Sequence, residues 1–239
     1  MLGALINWLG IIVGGLGGTF VRRRLSTRQE SAIQGLLGVF TIWIGLSLAW
    51  RNLNGSPRQV LGQLGIVMLA MALGKGVGKL LGLQSFSNSI GRYASHKISV
   101  TKGQGTFDEG LRVGTALFCA APLAILASVQ EAFNGFSEAF IVKAVMDGLA
   151  AQSLGAVFGQ GVTLSAIPVL AYEAALIRGA GLLEPFLRKS AKPLIDSINA
   201  TDGLLIFCVG LVLLRLKRIE LADYLPSLAI GPLLMWWLG

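Results

Sequence analysis

Two oppositely charged residues occur inside an apolar stretch of this chain, at 139–159, and they are the strongest candidates for chemistry. Lys143 and Asp147 are four residues apart, so a helix would place them on one face, where they can form an ion pair. Charged groups are costly at membrane depth unless they are paired or hydrated, so they usually face a bundle interior or an aqueous cavity. The pair is therefore either a binding site for an ion or polar substrate, or a structural pair near the membrane surface.

A second group of polar residues surrounds a proline in the next apolar stretch. Pro168 has no backbone N–H, so it frees the carbonyl four residues earlier, and the hydroxyls of Thr163 and Ser165 lie beside that break. Helices broken at membrane depth are where transporters build ion sites from carbonyls and helix ends. We predict a polar site here that includes Tyr172 and the carboxylate of Glu173. The alternative is an ordinary proline kink whose polar groups are satisfied by neighbouring helices.

The turn Gly159-Gln160-Gly161 relates these two groups, because a turn this short makes the flanking helices antiparallel neighbours. Asp147 lies 12 residues before its first glycine and Glu173 lies 12 residues after its last. Both are therefore about 18 Å from the turn by helical rise. We predict that Lys143, Asp147 and Glu173 form a cluster near the middle of the membrane, with Ser165 deeper toward the cytoplasm.

Three further polar residues are candidate ligands in apolar segments. Gln130 and Glu131 end the fourth apolar segment, and Asn7 lies in the first. Each of them either contributes to a binding site or forms a hydrogen-bond bridge between helices.

These residues must be positioned by membrane-spanning helices, because the chain is built from apolar segments. Residues 2–21 carry no charge, and 20 residues in a helix rise about 30 Å, the thickness of a bilayer's hydrocarbon core. We predict an all-α polytopic transmembrane helical bundle, a single membrane domain over residues 1–239, with seven or eight spans. The spans are near 2–21, 31–50, 59–82, 113–130, 139–159, 162–183, 200–214 and 222–238.

Composition agrees with a membrane protein. Hydrophobic residues make up 54% of the chain and charged residues only 13%, whereas soluble domains average about 25% charged residues. The mean hydropathy is +0.70. The net charge of +8 comes from short basic clusters between apolar segments, without the basic groove of a nucleic-acid-binding protein. We therefore expect the lipid bilayer as a partner and no nucleic acid.

The basic residues also predict the orientation of the spans. If the N-terminus is outside, 13 Lys and Arg residues face the cytoplasm, 6 face outside, and Lys143 lies within a span. Cytoplasmic loops carry the excess of Lys and Arg, so we predict that both termini face outside. The segments 22–30 and 83–112 would then be cytoplasmic, the second with a short amphipathic helix at 86–98.

Small residues at four-residue spacing predict close helix packing, within one subunit or between the subunits of a homo-oligomer. The two clearest ridges consist of Gly10, Gly14 and Gly18, and of Gly74, Gly78 and Gly82.

A weak internal repeat relates residues 35–46 to residues 203–211. Each copy begins with Gly-Leu-Leu and continues to a later aliphatic-Gly-Leu. The copies would run in opposite directions across the membrane, as inverted repeats of secondary transporters do, although chance similarity is the alternative.

Enzymatic chemistry has little support in the sequence. The chain has no Gly-x-Ser-x-Gly elbow, no His-Glu-x-x-His and no phosphate-binding Gly-Lys-Ser/Thr loop. Cys119 and Cys208 lack the spacing of a zinc site. We therefore predict no enzyme activity, no cofactor and no metal centre.

Several strings in this order resemble the YqgA/YdfK-type bacterial integral membrane family, whose function is unknown. They are Gly14-Gly15-Leu16-Gly17-Gly18, Ser128-Val129-Gln130-Glu131, Lys143-Ala144-Val145-Met146-Asp147-Gly148 and Leu164-Ser165-Ala166-Ile167-Pro168. Members of the family carry Asp-Gly soon after the glutamine, where this chain has Glu131-Ala132-Phe133-Asn134-Gly135. The resemblance implies a multi-pass protein of the bacterial cytoplasmic (inner) membrane, often described as a possible transporter.

Together these observations favour a secondary transporter or channel-like permease for a small ion or polar metabolite. The main alternative is a non-transporting membrane scaffold or regulator whose glycine ridges bind partner helices. A transporter requires a hydrated cavity lined by the polar residues above, whereas a scaffold requires an exposed glycine ridge.

Overall fold

The computed structural model describes residues 1–21, 26–101, 105–190 and 192–238, and every regular element within them is a helix. The prediction of an all-helical fold is therefore confirmed. The helices are α1 (Leu2–Val21), α2 (Thr27–Arg51), α3 (Pro57–Leu81), α4 (Leu83–Thr101), α5 (Phe107–Ala120), α6 (Pro122–Asn134), α7 (Glu138–Phe158), α8 (Gln160–Leu164), α9 (Ala166–Ser190), α10 (Lys192–Leu213), α11 (Leu221–Tyr224) and α12 (Ser227–Leu238).

Seven helical stretches in the described residues are long and apolar enough to cross a membrane, and a bent helix pair makes up to eight. The stretches are Leu2–Phe20, Arg28–Arg51, Pro57–Leu81, Glu138–Phe158, Gln160–Pro185, Pro193–Leu213 and Leu221–Leu238. They match the predicted segments in order, and the count of seven or eight agrees with the prediction. The protein is a polytopic helical membrane protein.

The eighth candidate span is the pair α5 and α6, which is longer than the predicted 113–130 and bent by 60°. It begins earlier because Thr106 caps α5: its hydroxyl accepts a hydrogen bond from the backbone N–H of Glu109 at 3.3 Å. It bends because Pro122 disfavours helical geometry at the preceding residue, and Ala121 is extended, with φ −67° and ψ 124°.

The chain divides into two compact units. The first unit comprises Met1–Ser31 and Phe86–Gly179, and the second comprises Ala32–Ser85 and Ala180–Gly239. The candidate charged cluster belongs entirely to the first unit.

Glycines let α1 and α7 approach closely in the first unit. A Cβ at Gly10, Gly14 or Gly18 would overlap the backbone carbonyl of Ala144, Gly148 or Gln152, respectively. The residue numbers rise together along both helices, so α1 and α7 are parallel. The first predicted ridge is therefore a close helix contact within the chain.

The second predicted ridge packs inside the second unit, with one exception. A Cβ at Gly74 or Gly78 of α3 would overlap the backbone of Ser227 or Asp223. Gly82 does not belong to this contact, because it ends α3 in the left-handed conformation, with φ 67°, and no heavy atom of the described residues lies within 4 Å of its Cβ position. Its role is to stop the helix, which glycine does at little steric cost.

The two copies of the weak repeat lie in α2 and α10, which pack antiparallel in the second unit. Gly45 contacts the backbone of Gly203, and Gly38 contacts that of Gly210. Gly45, Gly203 and Gly210 of the repeat thus take part in this contact, whereas Gly35 does not, because a Cβ there would meet no heavy atom of the described residues within 4 Å. That the two copies form an inverted repeat remains a prediction.

The polar stretch after α3 forms the amphipathic helix α4, which is longer than the predicted 86–98. Its Lys97 pairs with Glu109 of α5 at 2.9 Å. That hydrogen bond and the charge of Glu109 raise the pKa of Lys97.

The orientation of the chain in the membrane remains a prediction. Some of the basic residues on which it depends, Arg22–Arg24 and Lys102, lie outside the described residues.

Candidate functional site

A buried cluster of charged groups lies at the centre of the first unit. The side chains of Lys143 and Glu173 are 1% and 0% exposed, and that of Asp147 is 10% exposed. Lys143 Nζ forms an ion pair with Asp147, one helical turn along α7, and lies 3.4 Å from Glu173 Oε1 on α9. The predicted meeting of these three residues is confirmed.

Asn7 of α1 forms hydrogen bonds to both carboxylates. Its Nδ2 donates hydrogen bonds to Glu173 Oε1 at 2.7 Å and to Asp147 Oδ2 at 3.2 Å. Asn7 is fully buried, so both amide hydrogens are used inside the protein. We call Asn7, Lys143, Asp147 and Glu173 together the Lys143 cluster.

A broken helix supplies a further ligand to the lysine. Lys143 Nζ donates to the carbonyl oxygen of Phe118 in α5 at 3.1 Å. This carbonyl lacks an intrahelical partner because Pro122, four residues later, has no N–H to offer. The ammonium group of Lys143 therefore has three acceptors from three helices, which matches its three N–H groups.

The sequence-based prediction considered Pro168, and not Pro122, in this way. We predicted a freed carbonyl before Pro168, and the structure brings the freed carbonyl before Pro122 to the site instead. The same four-residue rule, applied to Pro122, identifies the carbonyl of Phe118.

The Lys143 cluster has more negative than positive charge and has unused oxygen atoms. One ammonium group faces two carboxylates, so the cluster carries one net negative charge when both are ionised. Asn7 Oδ1 and Glu173 Oε2 are buried and find no hydrogen-bond partner within the described ranges. These two unpaired acceptors offer binding atoms for a proton, a cation or a polar substrate.

The hydroxyl residues before Glu173 do not join the cluster. Ser165 Oγ donates to the carbonyl of Val162 at 2.6 Å, and Thr163 Oγ1 faces Gly15 of α1. Gly15 is eight residues beyond Asn7, about 12 Å along the helix. The single site predicted across Thr163–Glu173 is therefore divided, because helical rise separates its ends.

Pro168 and Tyr172 have different surroundings from those expected. Pro168 lies in the first turn of α9, where backbone N–H groups lack intrahelical partners in any case. Tyr172 is half-buried and precedes Glu173 directly on α9. Tyr172 thus borders the Lys143 cluster, whereas Pro168 acts on the start of its helix.

Gln130 and Glu131 hold the end of α6 rather than the Lys143 cluster. Gln130 Oε1 accepts a hydrogen bond from Ser137 Oγ at 2.5 Å, which fixes the connection to α7. Glu131 accepts the backbone N–H of Gly3 at 3.1 Å and forms an ion pair with the amino group of Met1. Glu131 is thus a further buried carboxylate outside the Lys143 cluster, and its partner Gly3 lies about 6 Å before Asn7 by the rise of α1.

The sequence analysis missed a buried acid in the second unit. Asp202 of α10 is fully buried, and both of its carboxylate oxygens lack hydrogen-bond partners in the described part of the chain. It lies inside the predicted span 200–214. The rule that singled out Asp147, an ionisable residue within an apolar span, applies equally to Asp202.

Comparisons with known proteins place the whole chain in one family. The model of the family described as "Protein of unknown function (DUF554)" matches residues 2–236. No solved structure was found to match the chain.

Two relatives resemble the chain over nearly all of their length. "Uncharacterized membrane protein YdfK" of Bacillus subtilis is 23% identical over 237 residues, which cover 99% of this chain and 96% of that protein. "Uncharacterized protein YqgA" of Escherichia coli is 24% identical over 241 residues, with 99% and 97% covered. The chain therefore belongs to the DUF554 family of membrane proteins.

Proposed function

We propose that this protein is a secondary transporter or channel-like permease for a small ion or polar metabolite in the cytoplasmic membrane. The observation that supports it is the Lys143 cluster, where one ammonium group faces two carboxylates among apolar helices. A net negative charge is costly in such a low-dielectric interior. A proton or a bound cation would therefore compensate it.

The cluster contains the atoms that such a species needs. Glu173 Oε2 and Asn7 Oδ1 are acceptors without donors among the described residues. Carboxylate and carbonyl oxygens are the ligands that hard cations prefer. A proton would instead bind one oxygen of a carboxylate. Asp147, the most exposed member at 10%, is the natural point of access.

Exchange of a bound proton for a bound cation provides a mechanism for coupling the fluxes of the two. When Glu173 takes up a proton, Lys143 pairs with Asp147 alone and the cluster is neutral. When a cation replaces that proton, the charge is again balanced. If proton and cation enter and leave on different sides of the membrane, their fluxes are coupled, as in transporters that bind ligands at broken helices.

The scaffold alternative loses support from the packing of the glycines. Gly10, Gly14 and Gly18 contact α7, and Gly74 and Gly78 contact the segment 223–227. A partner helix could use these ridges only by displacing helices of the same chain. Association into a homo-oligomer would therefore need another surface, and it remains a proposal.

Ion flux in proteoliposomes containing the purified full-length chain tests the proposal. Na⁺, K⁺ and pH gradients are imposed in turn, and internal pH and membrane potential are recorded with dyes. We expect flux in at least one gradient, and its loss in Asp147→Asn. The matched control is Asp108→Asn, which removes an exposed carboxylate from α5 and should leave the flux unchanged.

Absence of flux under all three gradients would contradict transport of Na⁺, K⁺ or protons, the small-ion form of the proposal. Equal flux in the wild-type chain and in Asp147→Asn would contradict the role of the Lys143 cluster. Correct insertion of Asp147→Asn is checked by its yield and thermal unfolding. The variant keeps one cation and one anion in the cluster, so we expect it to fold.

A further inference from the structure

Two adjoining cavities in the second unit form a polar pocket that continues into an apolar groove. The polar cavity, of about 260 Å³, is lined mainly by Asn52, Asn54, Gln59, Gln63, Asp196 and Ser197. The apolar groove, of about 530 Å³, is lined mainly by Gly62, Ile66, Leu194, Trp236 and Leu238. Gln59, Gln63, Pro193 and Met235 line both, so the two spaces are continuous.

Both cavities lie where four apolar spans of this unit begin or end. α2 ends at Arg51, α3 begins at Pro57, the span Pro193–Leu213 begins within α10, and α12 ends at Leu238. The end of a span corresponds to the boundary between the hydrocarbon core and the lipid headgroups. A polar pocket at that boundary, open to an apolar groove, has the polarity profile of a lipid.

Two exposed tryptophans agree with this depth. The side chains of Trp236 and Trp237 are 74% and 76% exposed, at the end of an otherwise apolar helix. Tryptophan is enriched at membrane–water interfaces, where its ring lies at the level of the headgroups. Trp236 also lines the apolar groove, so the groove begins at that level.

The glutamine side chains of the polar cavity are hydrogen-bonded mainly to the backbone of the adjoining loop. Gln63 exchanges hydrogen bonds of 3.0 Å with the backbone of Asn54, and Gln59 accepts the N–H of Ser56 at 2.8 Å. These bonds fix the loop between α2 and α3. The polar wall of the cavity is therefore preorganised for a ligand.

Ser197 lines the polar cavity and offers a hydroxyl to a ligand. It is 2% exposed, and its Oγ has no hydrogen-bond partner in the described ranges. The carboxylate-bearing Asp196 lines the same cavity, while the exposed Arg51 and Arg58 lie at the same end of the helices. A head with an inner ammonium group and an outer phosphate would match this order of charges.

We propose that this cavity and groove bind one ethanolamine-type phospholipid. Its ammonium group lies in the polar cavity with Asp196 and Ser197, its phosphate faces Arg51 or Arg58, and an acyl chain fills the apolar groove. A water-soluble metabolite would leave the groove empty. A choline head, whose nitrogen carries three methyl groups and no N–H, would not donate the hydrogen bonds that this cavity accepts.

The test uses two glycines on α3 that differ in one respect. Gly62 lines the apolar groove, whereas Gly65, three residues later, lines neither cavity. In the described part of the chain no heavy atom lies within 4 Å of a Cβ placed at either position, so Leu is sterically allowed at both. Gly62→Leu fills the groove, and Gly65→Leu is its matched control.

Binding is measured on the purified full-length chain by native mass spectrometry and by the Tm shift on titration with ethanolamine or choline phospholipid of identical acyl chains. We expect the wild-type chain and Gly65→Leu to bind the ethanolamine lipid about tenfold more tightly than the choline lipid, the effect of one charge-assisted hydrogen bond. Gly62→Leu should lose about tenfold in affinity for both lipids. Ser197→Ala should reduce the preference for ethanolamine while retaining binding.

Equal affinity of Gly62→Leu and Gly65→Leu would overturn the groove as the binding site. Equal affinity of the wild-type chain for the two headgroups would indicate ordinary boundary lipid and would overturn the headgroup assignment. Neither result depends on transport, so failure of this proposal is distinguishable from failure of the proposed function.

Discussion

At the scale of single residues, the Lys143 cluster is organised around a cation that has no access to water. Its ammonium group is held by Asp147, Glu173 and the carbonyl of Phe118. Removal of one partner of a buried ion pair leaves an uncompensated charge. The protein then loses more stability than the pair itself contributed. The effect of a substitution in the cluster therefore depends on the charge that remains.

Lys143→Met is expected to lower the free energy of unfolding by about 3–5 kcal/mol, because it leaves two buried carboxylates without a cation. Glu173→Gln should retain or increase stability, since one ammonium group and one carboxylate remain. Thermal unfolding in detergent measures both. Lys97→Met is the control: it removes a lysine whose side chain is 34% exposed, and its effect should be much smaller. A wild-type Tm for Lys143→Met would refute this description of the cluster.

At the scale of helices, close packing of α1 on α7 brings Asn7 to the acids of the neighbouring helices. The contact depends on glycines, since any side chain at Gly10, Gly14 or Gly18 would overlap backbone atoms of α7. The cluster is thus a consequence of how closely these two helices approach. Side chains on the contact face should disturb both stability and the site, whereas side chains on other faces should not.

Gly14→Leu is expected to destabilise the protein by about 1–3 kcal/mol or more, because a branched side chain must separate the two backbones. Gly17→Leu, on the same helix, should be neutral or slightly stabilising. Among the described residues, no heavy atom lies within 4 Å of a Cβ at Gly17, and leucine favours a helix more than glycine does. Equal thermal unfolding of the two variants would argue against the close contact.

Much of this arrangement was predictable from the sequence, because membrane helices have a simple period and a fixed rise. Lys143 and Asp147 share a face through their four-residue spacing, and Glu173 reaches them through its equal distance from the turn. Spacing also identifies the carbonyl of Phe118 as freed by Pro122, but it does not show that this carbonyl and Asn7 reach the cluster. Their contacts depend on which helices pack together, a tertiary property that no spacing along the chain encodes.

At the scale of the whole molecule, the number of spans determines which sides the termini face. Seven helical stretches and one bent pair give up to eight crossings in the described residues. An even number returns the chain to the side from which it started. The excess of basic residues in the segments 22–30 and 83–112 places these segments in the cytoplasm if all eight cross.

Single cysteines at Ser26 and Ser95 should therefore resist an impermeant thiol reagent in intact cells, in a chain that lacks Cys119 and Cys208. A cysteine at Ser56 should react, because the loop between α2 and α3 is predicted to face outside. All three positions are exposed, so differences in labelling report sidedness rather than burial. Labelling at Ser26 or Ser95 in intact cells would reverse the orientation.

The central claim is that the net negative charge of the Lys143 cluster is compensated by an exchangeable proton or cation, and infrared difference spectroscopy tests it most directly. The purified chain is titrated with base, Na⁺ and K⁺ while the signal of protonated carboxyl groups is recorded. We expect one component of this signal to disappear on titration in the wild-type chain and in Asp108→Asn and to be missing from Glu173→Gln and Asp147→Asn, whereas any component from the buried Asp202 is common to all four proteins. An identical signal in all four proteins would contradict the claim, because the titrating carboxyl would then lie outside the cluster.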